Sequence, residues 1–134
     1  MNPFPLKIVT PDGLLFEGQA EELIVRTTTG EMGILARHIN CVAPLGMGRA
    51  TIVVNGARRY GACIGGMVTV VNGEVKLMPT TFEWADAIDV SRAEASEKRA
   101  QEVLADKMAS AAELKLAEAR LKRALIRKSV AGQK

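Results

Sequence analysis

The most informative stretch for the fold is residues 51–78, which read TIVVNGARRYGACIGGMVTVVNGEVKLM. In two places, an apolar and β-branched segment leads into Asn-Gly, at Asn55-Gly56 and again at Asn72-Gly73, and a second extended segment follows. Asn-Gly supplies the two positive φ angles of the type I′ turn that closes a tight hairpin. The pattern therefore predicts two consecutive β-hairpins, with strands Thr51–Val54, Ala57–Cys63, Met67–Val71 and Glu74–Met78.

Upstream of these hairpins the chain is also rich in turn signals. We expect a strand at Leu6–Val9 that ends at Thr10-Pro11-Asp12-Gly13, a turn with proline at its second position. Gly30 and Gly33 are expected to bracket another tight loop. Further short strands are predicted at Leu14–Glu17 and Gln19–Thr28. Many short strands at close spacing favour a β-sandwich or barrel.

The composition changes near residue 80. All five prolines lie at or before Pro79, whereas residues 85–134 contain thirteen alanines, no proline and no aromatic residue. Alanine with Glu, Lys, Arg and Leu favours helix. We therefore predict an α+β protein with two domains. Residues 1–84 form the β-sandwich domain and residues 85–134 form a regulatory domain, an antiparallel two-helix hairpin.

Capping signals place the two helices. Asp89 is suited to N-cap a first helix that runs to about Met108, and Ser110 with Glu113 forms a capping box that starts a second. The helices meet along alanine-rich stripes, so the seam buries little apolar area and the hairpin is marginal alone. The stripe of the second helix is Leu114, Ala117, Leu121, Ala124 and Lys128, with Leu125 beside it. The facing stripe is Ala93, Ala100, Val103/Leu104 and Lys107/Met108.

Several protein classes are excluded by what the chain lacks. An apolar fraction of 48% excludes a disordered tail, and no run approaches the ~20 apolar residues of a membrane span. We see no secretory signal at the start, and the two cysteines are too few for a disulfide framework or a four-thiolate zinc site. Cys41 and His38 are expected to point to opposite faces of a strand. Neither a phosphate-binding loop nor a zinc spacing is present, so nothing supports catalysis, and we expect a reducing cytoplasm.

The net charge of +3 hides an uneven distribution. The formal charge is +1 over residues 1–82, −4 over residues 83–118 and +6 over residues 119–134. Arg58-Arg59-Tyr60 is better interpreted as a solvated hairpin edge than as a nucleic-acid patch, because five aromatic residues give no stacking platform. The chain is therefore predicted to be a near-neutral sandwich with an acidic first helix and a basic tip.

Several segments together resemble the epsilon subunit family of F-type ATP synthases. In order they are Leu6–Pro11, Phe16–Gly18, Gly30–Leu35 with His38, Ile64–Gly66 and Ile88–Ala93. The departures are local, because Ala36-Arg37 stands where the family usually has Pro-Gly and Ile39-Asn40 where it usually has Ala-Pro. These changes put individual contacts of that loop in question.

The resemblance implies a flattened β-sandwich in the rotating central stalk, bound to the gamma subunit and the rotor ring. It implies no catalysis by the subunit itself. The hairpin would move between a compact state and an extended state that reaches the alpha and beta catalytic subunits and inhibits ATP hydrolysis. The location implied is the cytoplasmic face of a bacterial plasma membrane, peripheral and through the complex only, with no nucleic-acid partner.

The resemblance also implies ATP as a regulatory ligand, with no required cofactor and no metal. Ile88-Asp89-Val90-Ser91-Arg92-Ala93 matches the motif with which some bacterial members bind ATP. Arg92 and Arg99 would face phosphate, and Asp89 and Glu83 would hold the junction or contact adenine or ribose. A basic residue of the second helix, Lys122 or Arg123, would complete the site. The alternative is structural, with Asp89 as an N-cap and Arg92 as a solvated residue.

Two further sets of residues follow from the resemblance. Glu31 matches the position that faces the rotor ring, and His38 lies where the family approaches gamma; the alternative for Glu31 is a turn residue without a partner. The basic tip would meet acidic segments of the catalytic subunits, or else nucleic acid or an anionic membrane, and the third alternative is a merely solvated face. This inhibitory face is Arg120, Lys122, Arg123, Arg127 and Lys128.

A second reading of the whole chain stays open. It is a free-standing sandwich-plus-hairpin scaffold, or a basic nucleic-acid-binding protein, with no ATPase partner. Co-purification of a gamma subunit would separate the two.

Overall fold

The computed structural model describes residues 2–133, which form ten strands, one 3-10 turn and two α-helices. The predicted α+β class, a β-sandwich followed by a helical hairpin, is confirmed. The strands, in chain order, are β1 (Phe4–Thr10), β2 (Gly13–Ala20), β3 (Glu22–Thr27), β4 (Gly30–Ile34), β5 (Cys41–Pro44), β6 (Met47–Val54), β7 (Ala57–Ile64), β8 (Met67–Val71), β9 (Glu74–Met78) and β10 (Thr81–Trp84). The 3-10 turn is Ala85–Ala87, and the helices are α1 (Val90–Ala105) and α2 (Ala111–Ala131).

The strands form two five-stranded sheets. Sheet A has the order β2-β1-β9-β8-β5 and sheet B the order β10-β7-β6-β3-β4. All pairings within the sheets are antiparallel except that of β1 with β9, where Leu6 lies opposite Val75. Alternate side chains of each sheet point inward and are excluded from solvent, so the core lies between the sheets.

Both predicted Asn-Gly hairpins are confirmed. Asn55 and Gly56 have φ of 51° and 76°, and Asn72 and Gly73 have 49° and 82°, as a type I′ turn requires. Between the hairpins, Gly66 has φ of 89°, and a Cβ there would lie 2.0 Å from the carbonyl oxygen of Met78. Only glycine fits this close approach of two backbones.

Three local predictions are wrong. The segment between Gly30 and Gly33 is not a loop but lies in β4. The turn is already complete at residues 28–29, because Thr27 Oγ1 donates to the Gly30 carbonyl oxygen (2.7 Å) and accepts from the Thr29 amide (3.3 Å). Strand β2 continues through Gly18 to Ala20, and the following strand starts only at Glu22. Strand β10 was not predicted, and of the strand expected around His38 and Cys41 only the part from Cys41 onward is present, as β5.

Helix α1 ends at Ala105 rather than near Met108. Asp106 leaves the helical conformation, and its carboxylate accepts a hydrogen bond from the Met108 amide at 2.8 Å. This turn ends the helix three residues earlier than its apolar pattern indicates, since the side chain of Asp106 competes for backbone amides. Both predicted N-caps are confirmed: Asp89 accepts from the Arg92 amide, and Ser110 with Glu113 forms a complete capping box.

Helix α2 lies against β6, β7 and the 3-10 turn. The contact is a small apolar cluster at the far end of the helix, separate from the sandwich core. Its buried members are Ala62, Ala85, Ile88, Val130 and Ala131. The hairpin is therefore docked on the outer face of sheet B.

Aromatic residues close the sandwich beside the start of the hairpin. Trp84 packs edge-to-face on Phe82 and Phe16, at centroid distances of 5.0 and 6.4 Å, and the guanidinium of Arg59 lies 3.7 Å from its ring centroid. Trp84 is the last residue of β10 and directly precedes the 3-10 turn.

Neither helix within residues 2–133 combines the length and the apolar composition that a bilayer-spanning helix needs.

Candidate functional site

One candidate site is a groove of about 800 Å³ between α1 and α2. Four arginines line it, one from α1 and three from α2: Arg99, Arg120, Arg123 and Arg127. Its floor includes Ala100, Val103 and Ala117 of the seam. The small alanine side chains allow the two helices to approach each other closely.

The groove is strongly polar in a way that suits an anion. Guanidinium groups donate several hydrogen bonds in a rigid fork and bind phosphate bidentately. The same groove is lined by acidic side chains, Glu102, Asp106 and Glu113, which can accept hydrogen bonds from hydroxyl or amino groups. The arrangement can therefore bind a polyanion that also carries hydrogen-bond donors.

Two ion pairs involve the C-terminal part of α2, one with the sandwich and one with α1. Arg127 Nε of α2 donates to Glu83 Oε1 of β10 at 2.6 Å, which ties the hairpin to the sandwich. Lys128 Nζ donates to Glu97 Oε2 of α1 at 2.7 Å, which ties the two helices together. The hydrogen bond to Glu97 raises the pKa of Lys128.

The structure places the residues predicted from the resemblance in different environments. Arg99 and Arg123 line the groove. Glu83 does not line it but forms an ion pair with Arg127, which does. Lys122 lies on the other side of α2, in a cleft with Arg26 and Met47, so of the two candidates on the second helix it is Arg123 that lines the groove.

The remaining members of that set have structural contacts. Asp89 caps α1, and Arg92 is exposed in the first turn without lining the groove. Ile88 is buried under α2, and Ala93 is buried in the helix seam. Residues 88–93 thus form the junction from which the hairpin starts.

Sequence reasoning did not assign Arg120 and Arg127 to this groove. The sequence places them only on a basic face with Lys122, Arg123 and Lys128, yet in the docked hairpin these five residues separate: three line the groove, Lys122 lines another cleft and Lys128 pairs with Glu97. The signal that identifies them is the spacing of Arg120, Arg123 and Arg127, which puts three guanidinium groups on one helix face.

A second candidate site is the outer face of sheet A, which the hairpin leaves uncovered. At the β5 and β8 end this face is apolar: Val42 is 65% exposed, Val71 53% and Met67 44%. Val42 and Pro44 lie opposite Thr69 and Met67 in the register, so these side chains share the face. Exposed apolar patches beside a free strand edge are typical of protein-binding surfaces.

The two predicted partner-contact residues lie on different sheets. Glu31 is exposed on β4, the edge strand of sheet B, opposite Arg26 in the register. His38 is half-buried in the turn before β5, at the edge of sheet A. The structure therefore does not bring Glu31 and His38 onto one strand.

The prediction that Cys41 and His38 point apart is wrong. A turn closed by the His38 amide and the Leu35 carbonyl (3.2 Å) brings Cys41 Sγ to 3.9 Å from His38 Nδ1. Nδ1 also lies 2.8 Å from the Ile39 carbonyl oxygen, which can only accept, so Nδ1 carries the proton and cannot take one from the thiol. Burial raises the pKa of the other thiol, Cys63, to about 12, so Cys63 is inert.

Comparison with known families agrees with this architecture. Models of the ATP synthase delta/epsilon chain match almost the whole chain, its β-sandwich domain at residues 3–85 and its long alpha-helix domain at residues 86–132. The chain belongs to this family. The resemblance to the epsilon subunit is thereby confirmed.

Relatives within this family match from end to end. The chain is 40% identical to the ATP synthase epsilon chain of Bacillus cytotoxicus over 134 residues, with all of both chains covered. It is 42% identical to the ATP synthase epsilon chain of Ruminococcus albus over 135 residues, again with full coverage of both.

Solved structures share the fold at lower identity. A chain in the mitochondrial ATP synthase of Euglena gracilis, a structure of OSCP, F1 and c-ring, aligns with a TM-score of 0.83 at 21% identity and covers 98% of this chain and 82% of that one. A chain from the central stalk and c-ring of the Tetrahymena thermophila mitochondrial enzyme aligns with a TM-score of 0.61 at 15% identity, over 95% of each.

Proposed function

We propose that this chain is the non-catalytic epsilon subunit in the central stalk of a bacterial F-type ATP synthase. The β-sandwich, residues 1–84, joins the gamma subunit to the rotor ring, and the hairpin, residues 85–134, restrains ATP hydrolysis when it leaves the sandwich. The chain would be a peripheral protein at the cytoplasmic face of the plasma membrane, held there through the complex.

The observation that carries this proposal is the use of the same cations for docking and for the proposed inhibition. Arg127 and Lys128 are paired with Glu83 and Glu97 in the docked state. Both cations must leave these carboxylates before they can meet acidic segments of the alpha and beta subunits. Because Glu83 belongs to the sandwich, Arg127 cannot serve docking and inhibition at the same time, as a two-state regulator requires, whereas the Lys128–Glu97 pair lies within the hairpin.

The uncovered face of sheet A supports the partner-binding role of the sandwich. The hairpin occupies sheet B, so the apolar end of sheet A around Val42 and Val71 stays available to gamma, with His38 at its edge. Glu31, exposed at the edge of sheet B, is available to the polar loops of the rotor ring.

We further propose that ATP binds in the groove between α1 and α2 and favours the docked hairpin. Arg99 and Arg123 with Arg120 and Arg127 would hold the phosphates, and the acidic side chains of the groove would accept from ribose or adenine. A ligand that spans the two helices stabilises the state in which they lie side by side.

Hydrolysis by the assembled complex tests the inhibitory role. Deleting residues 85–134 should raise the rate of ATP hydrolysis while the sandwich remains bound. Glu83→Gln with Glu97→Gln, which frees Arg127 and Lys128, should lower it. An unchanged rate in both variants would exclude the hairpin as an inhibitor.

Thermal shift of the isolated chain tests the nucleotide site. Millimolar ATP should raise the Tm of the wild-type chain, and Arg99→Gln or Arg123→Gln should remove the shift. Lys122→Gln is the matched control, because Lys122 lies outside the groove and should leave the shift intact. An equal loss in all three variants would indicate nonspecific binding to the basic helix.

A further inference from the structure

Arg37 has a backbone conformation that side-chain-bearing residues rarely adopt. Its φ is 67°, in the left-handed region. Among residues 2–133, the other non-glycine residues with positive φ are Asn55 and Asn72 of the type I′ turns. Asparagine tolerates this region, whereas arginine is strained there. Such strain persists where another role keeps the residue in place.

Among residues 2–133, no polar interaction of its side chain explains the arginine. Arg37 is exposed, and within the described part of the chain its side chain takes part in no ion pair or hydrogen bond. The turn itself is closed by backbone atoms, the His38 amide and the Leu35 carbonyl. A glycine would fit this turn without strain.

The side chains next to Arg37 in the turn are apolar and exposed, and on its other side Arg37 lines an open cleft together with Asn72 and Glu74. Leu35 is 48% exposed and Ile39 78%, and both flank Arg37 in the same turn. The turn leads directly into β5, where Val42 continues the uncovered apolar face of sheet A. One guanidinium flanked by exposed aliphatic side chains is the composition of an interface anchor.

We propose that Arg37 anchors a protein partner that presents a carboxylate bordered by apolar side chains. The turn presents Arg37 to solvent on a backbone that is already ordered, so only the side chain has to be ordered when a bidentate Arg–carboxylate pair forms. The inference rests on the proposed function, because the partner is taken to be another subunit of the same assembly. A membrane is disfavoured, since Arg37 is the one formally charged residue of residues 35–39 and stable membrane attachment takes a polybasic patch.

Binding of the full-length chain to synthase core complex stripped of this subunit tests the proposal. Arg37→Asn keeps a residue that tolerates positive φ but removes the charge, Arg37→Lys keeps the charge, and Arg58→Gln is the control on the other sheet. Arg37→Asn should lower the affinity at least about tenfold and flatten its dependence on salt. Arg37→Lys should fall between, and Arg58→Gln should match the wild type. The Tm of Arg37→Asn should be equal to that of the wild type or higher.

The outcomes separate this inference from the proposed function. If the wild-type chain does not bind the core complex, both fail. If the wild type and Arg37→Asn bind equally well, the anchor is wrong while the proposed function stands. A parallel loss of Tm and affinity in Arg37→Asn would assign Arg37 a structural role and overturn the inference. The wild type could also bind phosphatidylglycerol vesicles. If Arg37→Asn abolished that binding but left binding to the core complex unchanged, the inference would be overturned in favour of a membrane.

Discussion

The sandwich and the helical hairpin bury their residues in different ways. The sandwich core is built from large aliphatic side chains that are 0–1% exposed, among them Leu6, Ile8, Leu23, Ile34, Ile52 and Leu77. The helix seam buries chiefly methyl groups, those of Ala93, Ala100, Ala117 and Ala124. Each buried methylene contributes about 0.8 kcal/mol, so the same number of contacts stabilises the hairpin far less.

This difference indicates which part of the molecule can move. Within residues 2–133, the buried apolar contact between α2 and the sandwich is the small cluster around Ile88 and Val130, and the Glu83–Arg127 ion pair adds to it. The hairpin can therefore leave sheet B without opening the core between the sheets. Each of the following variants destabilises either the sandwich or the hairpin, and they are given in order of decreasing effect.

The largest effect is expected from a cavity in the sandwich. Ile8→Ala removes a fully buried side chain from β1 and should lower the free energy of unfolding by about 2–5 kcal/mol. Urea denaturation of the full chain measures this loss. Val42→Ala, on the exposed face of sheet A, is the control and should change it little.

Overpacking the seam should separate the hairpin but spare the sandwich. Ala124 is fully buried against α1, and Ala124→Leu forces the helices apart at a cost of about 1–3 kcal/mol. Amide hydrogen exchange should speed up in α1 and α2 but not in the strands. Faster exchange in β6 and β7 as well would show that the two parts unfold together.

The capping box gives a smaller, local effect. Ser110→Ala removes the acceptor for the Glu113 amide, at 3.1 Å, and should cost about 1 kcal/mol. Circular dichroism should show increased fraying of α2, and Ser110→Asp should restore the helix. The same change at exposed Ser129, which caps nothing, is the control.

Loss of the pair between the hairpin and the sandwich should have a modest effect. Glu83→Gln removes the charge that holds Arg127 and should weaken docking by about 0.5–1 kcal/mol, since both side chains are partly exposed. Hydrogen exchange at the C-terminal end of α2 is the measurement. High salt should produce the same change in the wild type and almost none in the variant.

The smallest effect is the pH dependence of the second pair. The hydrogen bond to Glu97 raises the pKa of Lys128 above its usual value of 10.5. The stabilisation is therefore complete below pH 10.5 and is lost as the pH rises through the pKa of the folded state. The difference in Tm between wild type and Lys128→Met should be constant from pH 7 to 9 and should vanish at higher pH. A difference that persists there would show that Lys128 acts by packing alone.

Local features of this chain could be predicted from its sequence, and long-range ones could not. Asn55-Gly56, Asn72-Gly73, Asp89 and Ser110 each specify their structure through bonds within a few residues. The pairing of β1 with β9 joins residues about seventy positions apart, and no local signal specifies it. The bounds of β5 were not predicted, because the segment around Pro44 has little β-propensity and forms a strand only beside β8.

The arginine groove shows the same limit at the candidate site. The resemblance implies that a basic residue of α2 lies near Arg99. Whether that residue is Lys122 or Arg123 depends on how α2 is rotated about its axis relative to α1. The buried positions Ala117, Ala124 and Ala131 set that rotation, and they turn Arg123 to the groove and Lys122 to β3 and β6. The positions of small and charged residues along α2 therefore predict this rotation only when the position of α1 is known.

Trp84 gives the molecule an optical reporter of its own. It is the only tryptophan of the chain, its indole is stacked against the guanidinium of Arg59, and it directly precedes the 3-10 turn from which the hairpin departs. Fluorescence emission from a single indole depends on the groups around it. Movement of the hairpin about this turn should therefore change the emission of the unlabelled protein, in real time and in solution.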